Sequence, residues 1–222
     1  RNQYLDKLSS YMNIKVTYKD DGTVNVVSGA TSLIDAQAGT VADIIMEDDP
    51  SGVRLLADGV PMNLTGGSLF GAMEVLNGKG EFAAEGENDF RGIPYYQASL
   101  DALAESFSMK FNELNGADKP LFSGTTAADI AISSEWLEDP NHITATLPPG
   151  GEKGKNDNIL RMISAMSEDR KIVPGSDEES NFGGFLLSLM SELAIDVDYT
   201  ADMSESTEMV LNVISNERQS EM

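Results

Sequence analysis

Apolar residues follow two different periods along this chain, and the changes between them divide it. In the first segment Tyr4, Leu5, Leu8, Tyr11 and Met12 share one face at helical spacing, so 1–12 is predicted to be an amphipathic helix. From Asn13 the period falls to two. Ile14, Val16 and Tyr18 alternate with polar residues, Asp20-Asp21-Gly22 turns the chain, and Val24 and Val26 alternate again. Further short strands are expected at Ser32–Ile34, Thr40–Met46, Val53–Leu56 and Met62–Leu64, separated by Gly39, Asp49-Pro50-Ser51-Gly52 and Asp58-Gly59. Residues 13–65 thus read as a small antiparallel β unit.

Helical periods then return. Gly66-Gly67 leads to Ser68 as an expected N-cap and a short helix through Leu76, stopped by Asn77-Gly78. The acidic stretch Lys79–Arg91 reads as a loop. Pro94 suits a helix start, and Ile93, Tyr96, Leu100, Leu103, Phe107 and Leu114 recur near every 3.5 residues, joined by Phe111, until Asn115-Gly116. Such spacing is a bundle or coiled-coil seam. Two more strands are expected at Ala127–Ile132 and Ile143–Leu147. After the link Pro148–Gly154, a helix over Asp157–Ser167 is predicted to bury Ile159, Leu160, Ile163 and Met166. Following the polar linker Pro174–Asn181, Phe185–Met222 holds no Gly or Pro. Phe182, Leu186, Leu189, Leu193, Met203, Val210 and Ile214 form a helical stripe there, weakened around Asp196–Thr200.

At about 1.5 Å per residue the last stretch would reach roughly 57 Å, beyond the roughly 45 Å diameter of a compact globule of this length. Either that helix breaks near Asp198, or the protein is an elongated α+β rod of long helices with a small antiparallel β unit inserted. The second reading assigns 1–12, 92–116 and 156–222 to the rod, 13–91 to the β unit with one short helix, and 117–155 to a short β and loop region. The first helix starts and the last one ends without caps, so both ends read as cut.

Composition narrows the function. In 222 residues, 37 Asp and Glu against 15 Lys and Arg give a net charge of −22. That field repels nucleic acid and anionic membranes, and no basic patch offsets it, since Arg161, Arg170 and Lys171 are too few. No apolar run reaches the roughly 18 residues of a membrane helix. No basic n-region or apolar h-region marks a signal peptide. The absence of Cys excludes disulfides and thiol chemistry, and a single His, His142, leaves little room for zinc sites or triads.

Candidate chemistry is correspondingly thin. Gly150-Gly151-Glu152-Lys153-Gly154-Lys155 resembles a phosphate loop, but Pro149 and Asn156 stand where Gly and Ser or Thr are required. Asp196, Asp198, Thr200 and Asp202 have calcium-loop spacing, with Ala201 at the turn Gly and Thr207 at the bidentate Glu. His142 near Asp139 and Ser133 or Ser134 lacks a nucleophile turn and an oxyanion loop. Trp136 reads as a core or interface anchor, and Met190, Met203 and Met209 as adaptable packing where helices meet. No catalytic, cofactor-binding or metal residue is therefore assigned.

The order of segments is more telling than any one motif. Arg1-Asn2-Gln3-Tyr4-Leu5-Asp6-Lys7-Leu8-Ser9 is similar to R-[DN]-Q-x-L-D-x-L-S, and Asp21-Gly22-Thr23-Val24-Asn25-Val26 to D-G-[ST]-V-x-V. Gly66-Gly67-Ser68-Leu69-Phe70-Gly71-Ala72-Met73 resembles G-G-x-L-x-[GA]-[LM]-[LM]. Ile93-Pro94-Tyr95-Tyr96, Leu100-Asp101-Ala102-Leu103-Ala104 and Phe111-Asn112 resemble one helix of the same proteins. Asp139-Pro140, Asn156-Asp157-Asn158 and Glu217-Arg218 with Ser220 match later landmarks. In this order they resemble the hook-associated members of the flagellin-like axial proteins of the bacterial flagellum.

That resemblance implies a structural, non-enzymatic subunit at the hook–filament junction, exported through the flagellar type III channel without a cleavable signal. It also implies self-association, contact with the hook protein and the second junction protein, no cofactor, and an export chaperone whose C-terminal site is absent here. Two departures stand out: the larger variable domain expected after Phe111-Asn112 is replaced by a short stretch, and the terminal axial helices are missing. The alternatives are an extracellular binding or adhesion module, which would expose an apolar patch on the β unit, and a glycosidase-like enzyme, which would need a cleft with two carboxylates at catalytic separation.

Overall fold

The computed structural model describes residues 2–49, 52–147 and 154–220. It is an α+β structure of helices and small antiparallel sheets, and it divides into two compact units, 1–98 and 99–222.

The first unit opens with α1 (Asn2–Tyr11). Strands β1 (Lys15–Tyr18), β2 (Val24–Ser28), β3 (Thr31–Asp35) and β4 (Thr40–Val41) form one antiparallel sheet in sequential order. The Asp-Gly turn joins β1 to β2, with Tyr18 opposite Val24, and Asp21 Oδ1 accepts from the Thr23 N–H at 2.9 Å. A second sheet holds β5 (Ile44–Asp49), β6 (Gly52–Ala57) and β7 (Val60–Pro61). The expected Thr40–Met46 strand is thus cut in two at Ala42 and Asp43, where the chain passes between the sheets: the Ala42 N–H donates to the Leu33 carbonyl beside β3 at 2.9 Å, and the Asp43 N–H to Asp58 Oδ1 beside β6 at 2.9 Å. Pro50 and Ser51, between β5 and β6 in the sequence, lie outside the described residues. Met62–Leu64 is not a strand: β7 ends at Pro61, after which only the Met62 N–H reaches back, to the Leu55 carbonyl.

Met12, Val26, Leu33, Leu55 and Leu64 form the core of this unit, with Leu5, Leu8, Ile14, Val16, Leu69, Phe70 and Met73 against it. Of the expected face of α1, Tyr4 and Tyr11 are exposed instead. The helix α2 (Ser68–Asn77) is capped by Gly67, not by Ser68. Gly67 has φ 87°, and a Cβ there would strike the backbone of Tyr11 and Met12, so only glycine permits this approach of α2 to the end of α1. Asn77, at the C-terminus of α2, grips β6: its Oδ1 accepts from the Val53 N–H at 2.8 Å and its Nδ2 donates to the Val53 carbonyl at 2.7 Å.

The helix α3 (Ile93–Asn115) runs from the first unit into the second. Its expected seam holds in the C-terminal half, where Leu103, Phe107, Phe111 and Leu114 join a core with Leu121, Met162, Ala165, Ile172 and Phe182. In its N-terminal half Ile93 and Leu100 are exposed, and the buried positions are Tyr95, Ser99 and Ala102.

After α3 the second unit has a two-stranded sheet, β8 (Phe122–Ser123) and β9 (Ala131–Ile132), then α4 (Ser134–Glu138) and α5 (Asp157–Ala165). Ile143–Leu147 is not a strand, because side-chain amides take its hydrogen bonds: the Thr144 N–H donates to Asn115 Oδ1 at 2.6 Å, and its carbonyl accepts from Asn158 Nδ2 at 2.7 Å. On α5 the buried positions are Asn158, Met162 and Ala165 with Ile159 beside them, while Leu160, Ile163 and Met166 are exposed. The last helix, α6 (Phe182–Ser220), passes unbroken through Asp196–Thr200.

Candidate functional site

α6 has 39 residues, about 58 Å of helix. Its first turn is fixed by Asn181, whose Oδ1 accepts from the Gly184 N–H at 2.8 Å. Phe182 and Phe185 anchor it in the core of the second unit, and Leu189 is buried as well. The Phe182 ring meets Phe107 edge-on at 5.2 Å between centroids, and the Arg170 guanidinium lies 4.4 Å above it. Arg170 is itself held, donating to the Ala165 carbonyl at 2.6 Å.

Beyond Leu189 the helix leaves this core, and every described side chain from Val197 to Ile214 is exposed. The apolar pattern nevertheless continues. From Phe182 the 4-3 spacing passes through Leu186, Leu189, Leu193, Asp196, Thr200, Met203, Thr207, Val210 and Ile214. Thr200 and Thr207 satisfy their hydroxyls within the helix, on the carbonyls of Asp196 and Met203 at 2.7 and 2.8 Å. One position back, the same spacing passes through Ile195, Tyr199, Asp202, Ser206, Met209 and Val213, also exposed. The second row is the part that the sequence analysis missed; applying the heptad test twice finds it.

A surface helix of a monomeric globule has one apolar stripe facing its own core. Here two adjacent rows face solvent. Burial of each large apolar side chain contributes about 1.5–3 kcal/mol, so the arrangement suits packing between neighbouring helices.

The expected chemical groups are dispersed or occupied. His142 sits in a 3-10 turn over Pro140–His142, and its Nε2 lies 3.1 Å from the Pro120 carbonyl, which also accepts from the Ser133 hydroxyl at 2.6 Å. Histidine and serine thus converge on a backbone oxygen. Asp139 receives the Asn141 N–H at 2.9 Å, and the backbone and side-chain hydrogen bonds of Asn141 hold its carboxyl below the usual range. Ser134 bonds Glu135 at 3.1 Å. Trp136 packs edge-on against Phe122 at 6.1 Å, half-buried on the core.

Asp196, Asp198, Thr200 and Asp202 lie on continuous helix, where alternate residues point to different sides. Gly150–Lys153 of the phosphate-loop-like segment lie outside the described residues. Among the described residues no group of three or more His, Asp or Glu is placed to hold a metal ion, and no helix is long and apolar enough to cross a membrane. Met190, Met203 and Met209 are all exposed on α6.

A cavity of 560 Å³ is lined by Ala102 and Met109 of α3 together with Ile172 and Pro174. Its charged rim is partly committed, with Lys110 to Glu113 at 3.4 Å and Lys171 to Asp177 at 3.1 Å.

Residues 1–130 match the family model of the flagellar hook-associated protein FlgK helical domain. Neither the curated proteins nor the solved structures compared with the chain include a match to it.

Proposed function

Because the chain belongs to the family of the flagellar hook-associated protein FlgK helical domain, a structural component of the flagellum, we propose that it joins hook to filament and is needed for the filament to assemble. The carrying observation is α6, whose two rows are exposed at every position from Val197 to Ile214. In this reading 1–12, 92–116 and 156–222 supply axial helices that pack as coiled coils in a flagellin-like bundle. The β unit, 13–91, meets neighbours or solvent, and 117–155 replaces a larger variable domain. The partners are further copies of the chain and other axial proteins, namely the hook protein and the second junction protein. Export through the type III channel without a cleaved signal places the protein outside the cell. It acts without catalysis or cofactor.

Replacing Val210 and Ile214 by Glu in the full-length protein tests this. Both side chains are exposed in the free chain, so fold and export should persist while filaments fail to form on the hook. Filaments of normal number and length would overturn the proposal.

A second reading, an extracellular binding module, draws on the β unit. Val41, Ile44, Ile45, Met46 and Val60 are exposed there.

A further inference from the structure

The strand edges of the first unit are unequal. β4 and β7 have two residues each, and β7 carries Pro61; β1 begins with Lys15. Short length, proline and lysine are the usual guards against unwanted strand pairing. β5 is different. It has six residues, forms the edge of its sheet, and begins with three consecutive apolar residues, Ile44, Ile45 and Met46, exposed by 38%, 49% and 66%.

Register shows which backbone groups this edge presents. Val53 gives its N–H and C=O to the Asn77 side chain, away from β5. The Asp48–Val53 pair is therefore one of the non-hydrogen-bonded pairs of the ladder. Alternation makes Met46–Leu55 and Ile44–Ala57 non-bonded pairs too, in agreement with the Leu55 carbonyl accepting from the Met62 N–H on the β7 side. The N–H and C=O groups of Ile44, Met46 and Asp48 thus point along the open edge. The Asn77 clamp fixes the hairpin from behind, so the template is rigid.

We propose that β5 is a docking edge for an extended segment of another protein, which adds a strand beside Ile44–Asp48 and carries apolar side chains and then a basic one on the same face. Backbone pairing supplies the register, and Ile44 and Met46 cover the apolar side chains of the guest. Charge selects the guest. Glu47 is already paired with Arg54 at 2.7 Å, but Asp48 follows it on the face of Ile44 and Met46, within a chain of net charge −22. β5 holds no Lys or Arg, so a second β5 would set no base against Asp48 in any register, and the guest is not another copy. The inference does not depend on the flagellar reading.

The probe is a fluorescein-labelled seven-residue peptide with lysine at both ends, valine at its third and fifth positions and threonine between, so that valines meet Ile44 and Met46 and a lysine meets Asp48 in either strand direction; it is titrated by anisotropy into the chain, with the peptide that carries glutamate for lysine beside it. Saturable binding of the lysine peptide alone is expected. Met46→Pro removes an outward N–H while leaving the β5–β6 ladder intact, and should weaken binding at least tenfold with an unchanged circular dichroism spectrum. If that variant does not fold, Met46→Lys, which keeps every backbone group and repels the guest, should show the same loss. No binding to the unaltered chain would overturn the proposal. Equal binding by the folded variant would also overturn it, as the signature of diffuse charge attraction. So would a concentration-dependent dimer abolished by Met46→Pro, which would make the guest a second copy.

Discussion

Asn158 donates through Nδ2 to the carbonyl oxygen of Leu114 at 2.8 Å, tying the first turn of α5 to the last turn of α3. Carbonyls at a helix C-terminus have no partner within the helix, and this one is satisfied by a fully buried amide. The same nitrogen holds the Thr144 carbonyl at 2.7 Å. Asn158→Ala would leave both oxygens bare in the core, at a cost of about 2–4 kcal/mol. Urea unfolding should register that loss, and a change below about 0.5 kcal/mol would show that water replaces the amide without cost.

Asparagine also explains where the sequence misleads. Asn112 accepts from the N–H groups of Leu121 and Phe122 and donates to the Phe122 carbonyl, so it acts as a strand partner for β8. Asn115 and Asn158 do the same for Thr144, so the alternating residues of 143–147 have no need of a strand. Hydropathy cannot see a buried amide, and for the same reason it misassigned the faces of α5. The upper half of α3 failed differently: its buried positions Ser99 and Ala102 are too small to score against Leu100. Long-period signals were readable. The Asp-Gly hairpin, the Phe107–Phe111–Leu114 seam and the row from Phe182 to Ile214 rest on many residues each. The β5 edge was not, because exposure of Ile44–Met46 depends on the strand order.

His142 and Ser133 share one acceptor, the Pro120 carbonyl. Either His142→Ala or Ser133→Ala leaves a donor in place, so each loses about 0.5–1.5 kcal/mol. The double variant strands a carbonyl and should lose about 1 kcal/mol more than the sum. Chemical denaturation of the four proteins measures this. Strict additivity would mean that the two donors do not compete for the oxygen.

Several exposed carboxylates have lowered pKa values. Asp129 owes its shift first to the Thr126 hydroxyl and then to N–H groups of Thr126 and Thr125, and Asp35 owes its own to the N–H groups of Ala38 and Gln37. A lowered folded value gives stability that is present above the unfolded carboxylate pKa, about 3.9, and lost as pH falls through the folded value. Repulsion within a chain of net charge −22 relaxes over the same descent, but begins earlier. The melting temperature should therefore not fall between pH 7 and about 5, and should drop below about pH 4. Asp129→Asn should make the acid limb shallower in thermal melts. A steady fall starting at pH 7 would contradict this account.

The free part of α6 should be helical only marginally until it is packed. Glu192, Asp196, Asp198, Asp202, Glu205 and Glu208 follow one another with no Lys or Arg between Lys171 and Arg218. Glu192–Asp196 and Asp198–Asp202 are like-charge pairs at i,i+4, each destabilising by a few tenths of a kcal/mol. Val, Ile, Thr and Ser, all weaker helix formers than Ala or Leu, fill much of the rest. Propagation from the anchored turn at Phe182–Leu189 offsets the nucleation cost, but from Val197 to Ile214 the exposed side chains add no packing to it. Amide hydrogen exchange at neutral pH and low salt should thus be fast over 197–214 and slow over 103–114. About 0.5 M salt, which screens the acids, should slow exchange over 197–214 and leave 103–114 unchanged. Assembly should protect both. Protection of 197–214 equal to that of 103–114 in the free chain would show that α6 holds itself together, and would remove the reason for assigning its apolar rows to neighbouring subunits.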